Sequence, residues 1–230
     1  MTSPSADGDC RRGETLTTLA TQSDVAALQA KVSALEAQNA TLTTAVGTLQ
    51  DKLSTVSFDA TGLNGLPTLK ISGANLQLVN GDGATNRLNG LGNLFVGYDE
   101  HTGSQTGSHN LVLGTDHVFT SFGGLAGGQD NTLGEPYSAA FGKNNMASGD
   151  ASSVSGGYLN TASGDYSAIG GGSFNTASGY NSAIGGGQSN SAPKSYASVN
   201  GGFQNSANGY FSSILGGHAV TVSTTYGTSP

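Results

Sequence analysis

Ala162-Ser-Gly-Asp-Tyr-Ser-Ala-Ile-Gly-Gly-Gly172 and Ala177-Ser-Gly-Tyr-Asn-Ser-Ala-Ile-Gly-Gly-Gly187 are two copies of one unit, fifteen residues apart. Ala147–Gly157 is a third copy, and diverged copies start at Ala192 and Ala207. The apolar anchors Val154, Ile169, Ile184, Val199 and Ile214 recur at the same interval. A fixed short period marks a solenoid or an array. Within each unit a Gly pair follows the anchor, and Asn comes next at Asn160, Asn175, Asn190 and Asn205. Gly and Asn accept positive φ at low cost, so both are read as turn residues. Fifteen residues with two turns leave room for two strands of roughly five residues. A helix would need about ten residues free of Gly. Each unit is therefore expected to be a flattened coil of two strands, bonded to the coils above and below at about 4.8 Å. One coil contributes one or two aliphatic side chains, worth ~1.5–3 kcal/mol each. Coils must then stack on neighbours, and lateral association with other chains would bury more.

A weaker version of the unit extends upstream through Ser138-Ala-Ala-Phe-Gly142, Gly124-Leu-Ala-Gly-Gly128, Asn110-Leu-Val-Leu-Gly114 and Asn93-Leu-Phe-Val-Gly97. Taking Val96, Leu113, Ala126, Phe141 and Val154 as anchors gives spacings of 17, 13, 15 and 13. This predicts irregular coils over 93–146, regular fifteen-residue repeats over 147–221 and a frayed tail over 222–230.

Ser-Ala-Ile-Gly at 167–170 and 182–185, preceded by Ala-Ser-Gly and followed by Asn-Thr or Asn-Ser, resembles the YadA-like head repeats of trimeric autotransporter adhesins. That resemblance implies a mainly β fold, a parallel left-handed β-roll. It also implies three chains side by side, and a role in binding host or matrix surfaces. It covers Ala147–Thr221 well. It is specific for the fold and poor for the ligand, because the repeated residues are those the coil needs.

Before the roll lies a heptad pattern. Val25, Val32, Asn39, Val46 and Leu53 occupy a, and Leu28, Leu35, Leu42, Leu49 and Val56 occupy d. This predicts a left-handed coiled coil of about 50 Å within 16–56. Thr18 and Thr21 continue the register weakly, which would start the helix nearer Glu14. Asn39 is a register-fixing polar residue, and Val at a with Leu at d leans towards two strands. The β-roll resemblance wants three, and a homotrimer is the expectation. Residues 1–15 read as a disordered N-terminus carrying an unpaired thiol at Cys10. Residues 57–92 read as a neck, with period-two strands at Thr68–Ser72 and Asn75–Asn80 around Gly73.

Composition narrows the function classes. Gly is 37 of 230 residues, Trp is absent, only 10% of residues are charged, and net charge is −7 with eight Lys plus Arg. Low charge with strict repetition argues for order. So acidic a chain lacks the basic face that nucleic acid or anionic lipid requires. Met1–Asp9 shows neither the basic nor the apolar region of a secretory signal. No apolar run approaches transmembrane length, so no direct membrane insertion is expected.

No constellation of catalytic residues stands out, and no cofactor is expected. His101, His109 and His117 are spaced by eight, with Asp116 beside His117, but they read as polar loop residues rather than metal ligands. Asp150 and Asp165 share a repeat position that becomes Tyr180, Ser195 and Tyr210 later, which breaks the acidic row of a calcium-binding roll. Gly90-Leu-Gly92 lacks the third glycine of a dinucleotide loop.

The candidate ligand-binding residues are aromatic. Tyr166, Tyr196 and Phe211 share one repeat position, Tyr158 and Phe203 share another, and Phe174 lies one place on. Such rings can stack on sugars or fill partner pockets, or form a ladder that stabilises adjacent coils. The expectation is a non-enzymatic, adhesin-like trimeric fibre presenting a β-roll to a surface glycan or protein receptor. It would act outside the cell, on a cell or particle surface. In the adhesin family the head precedes the stalk and a β-barrel follows. Here the helix comes first and no such anchor is seen, which suits attachment through the N-terminus. A tail fibre of a phage or contractile injection particle is therefore an alternative, and a subunit of an end-to-end filament or surface layer is another.

Overall fold

The computed structural model describes residues 21–100 and 104–229. Cys10, Thr18, the N-terminal segment 1–15 and His101 lie outside the described residues. The chain divides into two compact units, Met1–Leu76 and Gln77–Pro230.

In the first unit, helix α1 spans Gln22–Lys52. Thr21 is its N-cap. The Asp24 N–H donates to the Thr21 hydroxyl at 3.1 Å, and the Thr21 N–H donates to the Asp24 carboxylate at 2.8 Å. This capping box satisfies two otherwise orphaned donors and places the helix start at Gln22 rather than nearer Glu14. The Thr21 hydroxyl, and then its backbone N–H, hold the Asp24 carboxyl below its ordinary range. Thr41, Thr43, Thr44 and Thr48 donate their hydroxyls to the carbonyls four residues back, which makes them compatible with a helix interior. No residue of α1 is buried.

The helix ends earlier than the heptads predict. Leu53 is its C-cap, and Val56 opens strand β1 (Val56–Asp59), which pairs antiparallel with β2 (Thr68–Ile71). Thr55-Val56-Ser57-Phe58 is rich in β-branched and aromatic residues, and strand pairing wins over the continuing heptad spacing. The second predicted neck strand, Asn75–Asn80, is not a strand; Val56–Asp59 takes its place. Period-two alternation proposes strands but does not choose partners.

The second unit is a parallel β-solenoid of about nine turns. Its first sheet has ten strands, from β3 (Leu94–Val96) to β20 (Thr228–Ser229). Its second has eight, from β5 (Val118–Phe119) to β19 (Thr221–Val222). The regular coils stack at fifteen residues, with Val154 beside Ile169, then Ile184, Val199 and Ile214. The first upstream coil has the predicted length of 17, with Val96 beside Leu113. From Val112 on the coils are regular at fourteen, where Val112, Ala126, Ala140 and Val154 align; the predicted spacings of 13, 15 and 13 came from mixing outward anchors with inward ones. Val96, Leu113 and Phe141 share strands with the register residues Phe95, Val112 and Ala140, one place away, so they face outward. Residues 222–229 are likewise no frayed tail, because Val222 and Thr228–Ser229 complete a further coil.

Among the described residues, strands of five occur only in the fourteen-residue coils, at Leu111–Thr115, Leu125–Gln129 and Ala139–Lys143. The fifteen-residue coils have two-residue strands such as Ala168–Ile169 and Thr176–Ala177. The core is one side chain thick from each sheet. Where the second sheet supplies Phe119 and Leu133, the first supplies Val112 and Ala126; where the first supplies Ile169 and Ile184, the second supplies Ala177 and Ala192. Bulk on one sheet is matched by a small residue on the other, which keeps a thin interior close-packed.

Asparagine does more than mark a turn. The left-handed residue is the one before it: Leu159, Phe174, Ser189 and Gln204 have φ of 53, 58, 57 and 58°. Asn160, Asn175, Asn190 and Asn205 are buried. The Asn175 carboxamide donates to the carbonyls of Gly171 and Gly187 at 3.0 and 2.9 Å. Its oxygen accepts the N–H of the next ladder residue, and the same link repeats from Asn131 to Val220. His117 holds this position one coil earlier. Its Nδ1 accepts the Asn131 N–H at 3.2 Å, its Nε2 faces the Leu113 carbonyl at 3.1 Å, and its own N–H donates to Asp99 at 2.8 Å. His117 sits in the connection between two strands, as expected of a loop residue, but it is fully buried there as a ladder member.

Candidate binding surface

Tyr166, Tyr180, Tyr196, Phe211 and Tyr226 gather along one edge of the solenoid, and the backbone explains why. Each fifteen-residue coil turns through a four-residue corner such as Gly164-Asp165-Tyr166-Ser167, closed by a Ser167 N–H bond to the Gly164 carbonyl at 3.0 Å. The third corner residue is left-handed, with φ of 59° at Tyr166, 62° at Tyr196, 57° at Phe211 and 58° at Tyr226. This conformation costs an L-residue about 1–2 kcal/mol. Two interactions offset it. The Tyr166 N–H donates to the Asp150 carbonyl one coil below at 2.8 Å, and the rings contact those of adjacent coils.

The contacts form one ladder. Tyr166–Tyr180 and Tyr180–Tyr196 are edge-to-face at 5.5 and 5.7 Å between centroids; Tyr196–Phe211 and Phe211–Tyr226 are stacked at 4.7 and 5.0 Å. Tyr180 belongs to the row although it precedes the left-handed position, which Asn181 fills in its coil. Sequence reasoning took Tyr180 only as a break in an acidic row and left Tyr226 in the tail. The signal that finds both is the corner glycine, at Gly179 and one unit on from Gly209 at Thr224. Tyr166, Tyr180, Tyr196 and Phe211 are about half exposed, and Tyr226 at the end of the row is largely exposed. Stacking covers both faces of Phe211, which leaves its ring edge and no open face for sugar stacking.

Of the other candidates, Tyr158 and Phe203 share a column but are separated by Ser173 and Gln188. Tyr158 contacts Phe174 edge-to-face at 5.7 Å, and Phe203 stacks on His218 at 5.1 Å. These are two small pairs and not one surface. Lys194 lies 5.6 Å from the Tyr210 ring centroid, within cation–π range. The Asp150 carboxylate, followed by Tyr180, partial burial and Asp165, raises the Tyr166 hydroxyl above its ordinary range.

The seam residues Val25, Leu28, Val32, Leu35, Asn39, Leu42, Val46 and Leu49 all project from α1 and are exposed. Leu53 and Val56 are exposed too, beyond the helix.

Among the described residues no three His, Cys, Asp or Glu side chains converge as metal ligands would. His109 is engaged with the loop before the roll: its Nε2 accepts the Asn80 N–H at 3.2 Å and its Nδ1 faces the Thr85 carbonyl at 3.1 Å. Among the described residues no helix is long and apolar enough to cross a membrane. No protein-family model matches the chain, and no curated protein matches its sequence.

Proposed function

We propose that this chain is a non-enzymatic, homotrimeric fibre protein that presents a left-handed β-roll for attachment to a cell or matrix surface. The observation that carries this reading is the contrast between the units. The roll closes its own core around Ile169, Ile184 and Ile214, whereas the 31-residue helix α1 buries nothing. A solitary helix with a continuous row of exposed Val and Leu is unstable in water and gains stability by packing that row on copies of itself. The resemblance of the repeats to YadA-like heads supports three chains; the Val and Leu seam with Asn39 also suits two. The half-exposed aromatic edge supports a surface glycan or protein receptor as the ligand.

Light scattering with sedimentation on the full chain tests assembly. A trimer that dissociates on Leu35→Asp with Leu42→Asp supports the reading, a dimer corrects the stoichiometry, and a monomer overturns it. Binding to immobilised cells or matrix, weakened when Tyr196 and Tyr226 become Ala, tests the attachment surface. The order of the elements supports a second reading. Helix α1 precedes the roll in the chain, which suits a tail fibre of a phage or contractile injection particle joined to its carrier through the N-terminal side.

A further inference from the structure

Asparagine followed by glycine occurs five times in the chain, at Asn64, Asn80, Asn89, Asn200 and Asn208. In such a pair the glycine nitrogen can attack the asparagine carboxamide, because no Cβ shields it and the glycine backbone turns easily. The fold restrains four of the five pairs. At Asn64 the Gly65 N–H donates to the Gly62 carbonyl at 3.1 Å. Asn80 is buried; its amide donates to the Arg87 carbonyl at 2.7 Å, and its oxygen accepts the Asp82 N–H at 2.9 Å. The Asn89 amide donates to the Asn80 carbonyl and to the Asp82 carboxylate, both at 2.9 Å, and its oxygen accepts the Leu91 N–H at 3.0 Å. At Asn208 the Gly209 N–H donates to the Val222 carbonyl at 3.1 Å, and the carboxamide oxygen accepts the Ser206 hydroxyl at 2.7 Å.

Asn200 differs on each count. It is exposed, directly after the strand Ser198–Val199, and among the described residues nothing is bonded to its carboxamide or to the Gly201 N–H. A Cβ on Gly201 would meet nothing within 4 Å, so the space beside the nitrogen is open. We infer that Asn200-Gly201 is a self-modification site, at which the folded chain converts Asn200 to aspartate and isoaspartate with water as the co-reactant. The Gly201 nitrogen loses its proton and bonds to Asn200 Cγ. The bond from Cγ to Nδ2 breaks, and the amide nitrogen leaves with that proton as ammonia. Water then opens the cyclic imide. Cleavage between the Gly201 nitrogen and Cγ gives aspartate; cleavage between that nitrogen and the main-chain carbonyl carbon of Asn200 gives isoaspartate. Either product places a carboxylate in a column that otherwise holds Ser155, Gly170, Gly185 and Leu215. Isoaspartate also adds a methylene to the main chain between two anchored groups. The Asn200 N–H donates to the Ile214 carbonyl of the next coil at 2.8 Å, and the Gly201 carbonyl accepts the Asn205 amide at 2.9 Å.

The test incubates the full chain at neutral pH, folded and in denaturant, and maps deamidation by peptide mass spectrometry. In the folded chain Asn200 is expected to react about tenfold faster or more than Asn64, Asn80, Asn89 or Asn208, since a hydrogen bond that must first open is worth up to about a factor of ten. In denaturant the five pairs are expected to react at similar rates. Another pair leading in the folded chain, or Asn200 leading by the same margin in denaturant, would overturn the inference. Hydroxylamine, which cleaves a chain at the cyclic imide, gives an independent readout. Native protein is expected to be cut first between Asn200 and Gly201; cleavage there only after unfolding would count against the site. Gly201→Ala is expected to keep the circular dichroism, because its Cβ has room, and to slow the reaction at Asn200 severalfold. An unchanged rate in that variant would exclude attack by the Gly201 nitrogen.

Discussion

The carboxamide oxygen of Asn175 accepts the backbone N–H of Asn190, one coil on, at 3.0 Å. Both residues are buried, and the Asn175 amide also donates to Gly171 and Gly187. One side chain thus satisfies main-chain groups in two successive coils. Asn175→Ala leaves the buried Asn190 N–H and the Gly171 carbonyl without a partner, at about 1–3 kcal/mol each, while the Gly187 carbonyl keeps the Ser173 N–H. Denaturant unfolding of the full chain should show a lower midpoint. Asn175→Ser should recover little, because a hydroxyl cannot span both glycine carbonyls.

The two residues of each glycine pair have different duties. Gly172 has φ of 83°, and a Cβ there would collide with the Gly187 carbonyl oxygen; a Cβ on Gly171 meets nothing within 4 Å. Gly172→Ala should therefore unfold the adjoining coils. Gly171→Ala should be neutral or raise stability by about 0.4–1 kcal/mol through the unfolded chain. Thermal melts of the two single variants separate these outcomes.

His117 does the work of an asparagine at the head of the ladder. His117→Asn should preserve the fold and its melting temperature, since asparagine fills this position in the next coils. His117→Leu should lower stability by about 1–3 kcal/mol, because the Asn131 N–H is then buried without an acceptor. Amide hydrogen exchange at Asn131 distinguishes the two variants directly.

The matched side-chain volumes of the two sheets predict opposite responses to opposite changes. Ile184→Ala empties a rung whose partner residues are already alanine, at about 2–5 kcal/mol. Ala177→Leu overfills a rung that holds Ile169, at about 1–3 kcal/mol. Combining Ile169→Ala with Ala177→Leu should restore part of the loss, as Ala126 with Leu133 does upstream. A double-mutant cycle on denaturant unfolding measures the coupling.

Tyr166 should ionise at higher pH than an ordinary phenol, because the Asp150 carboxylate opposes a second negative charge beside it. The direction follows from linkage. With the folded value raised, the neutral hydroxyl's contribution is complete below the unfolded value and is lost as pH rises through the folded one. Ultraviolet titration of the parent against Tyr166→Phe isolates this group. Asp150→Asn should move its transition back towards the ordinary value, and an unchanged transition would remove Asp150 as the cause.

Much of the fold is legible in the residues themselves. The anchors Val154, Ile169, Ile184, Val199 and Ile214 stack as their spacing requires, because every coil must repeat the same steric and hydrogen-bonding solution to sit on the last. The helical period of Val25 to Leu49 is equally local, since it follows from 3.6 residues per turn. The aromatic edge is half legible: Tyr166, Tyr196 and Phe211 share a repeat position, while Tyr180 joins them from a different one.

What the tertiary structure decided concerns parity and partners. In Asn110-Leu-Val-Leu-Gly114 both faces are apolar, so composition cannot say whether Val112 or Leu113 points inward; a shift of one residue exchanges every side chain between core and surface. The register is set by contacts between coils. Gly114, Gly128 and Gly142 stack in line, and buried His117, Asn131 and Asn145 hand hydrogen bonds from coil to coil. The pairing of Val56–Asp59 with Thr68–Ile71 was decided in the same way. The period of this protein is a property of its residues one unit at a time. The facing of each side chain depends on the coil or strand beside it.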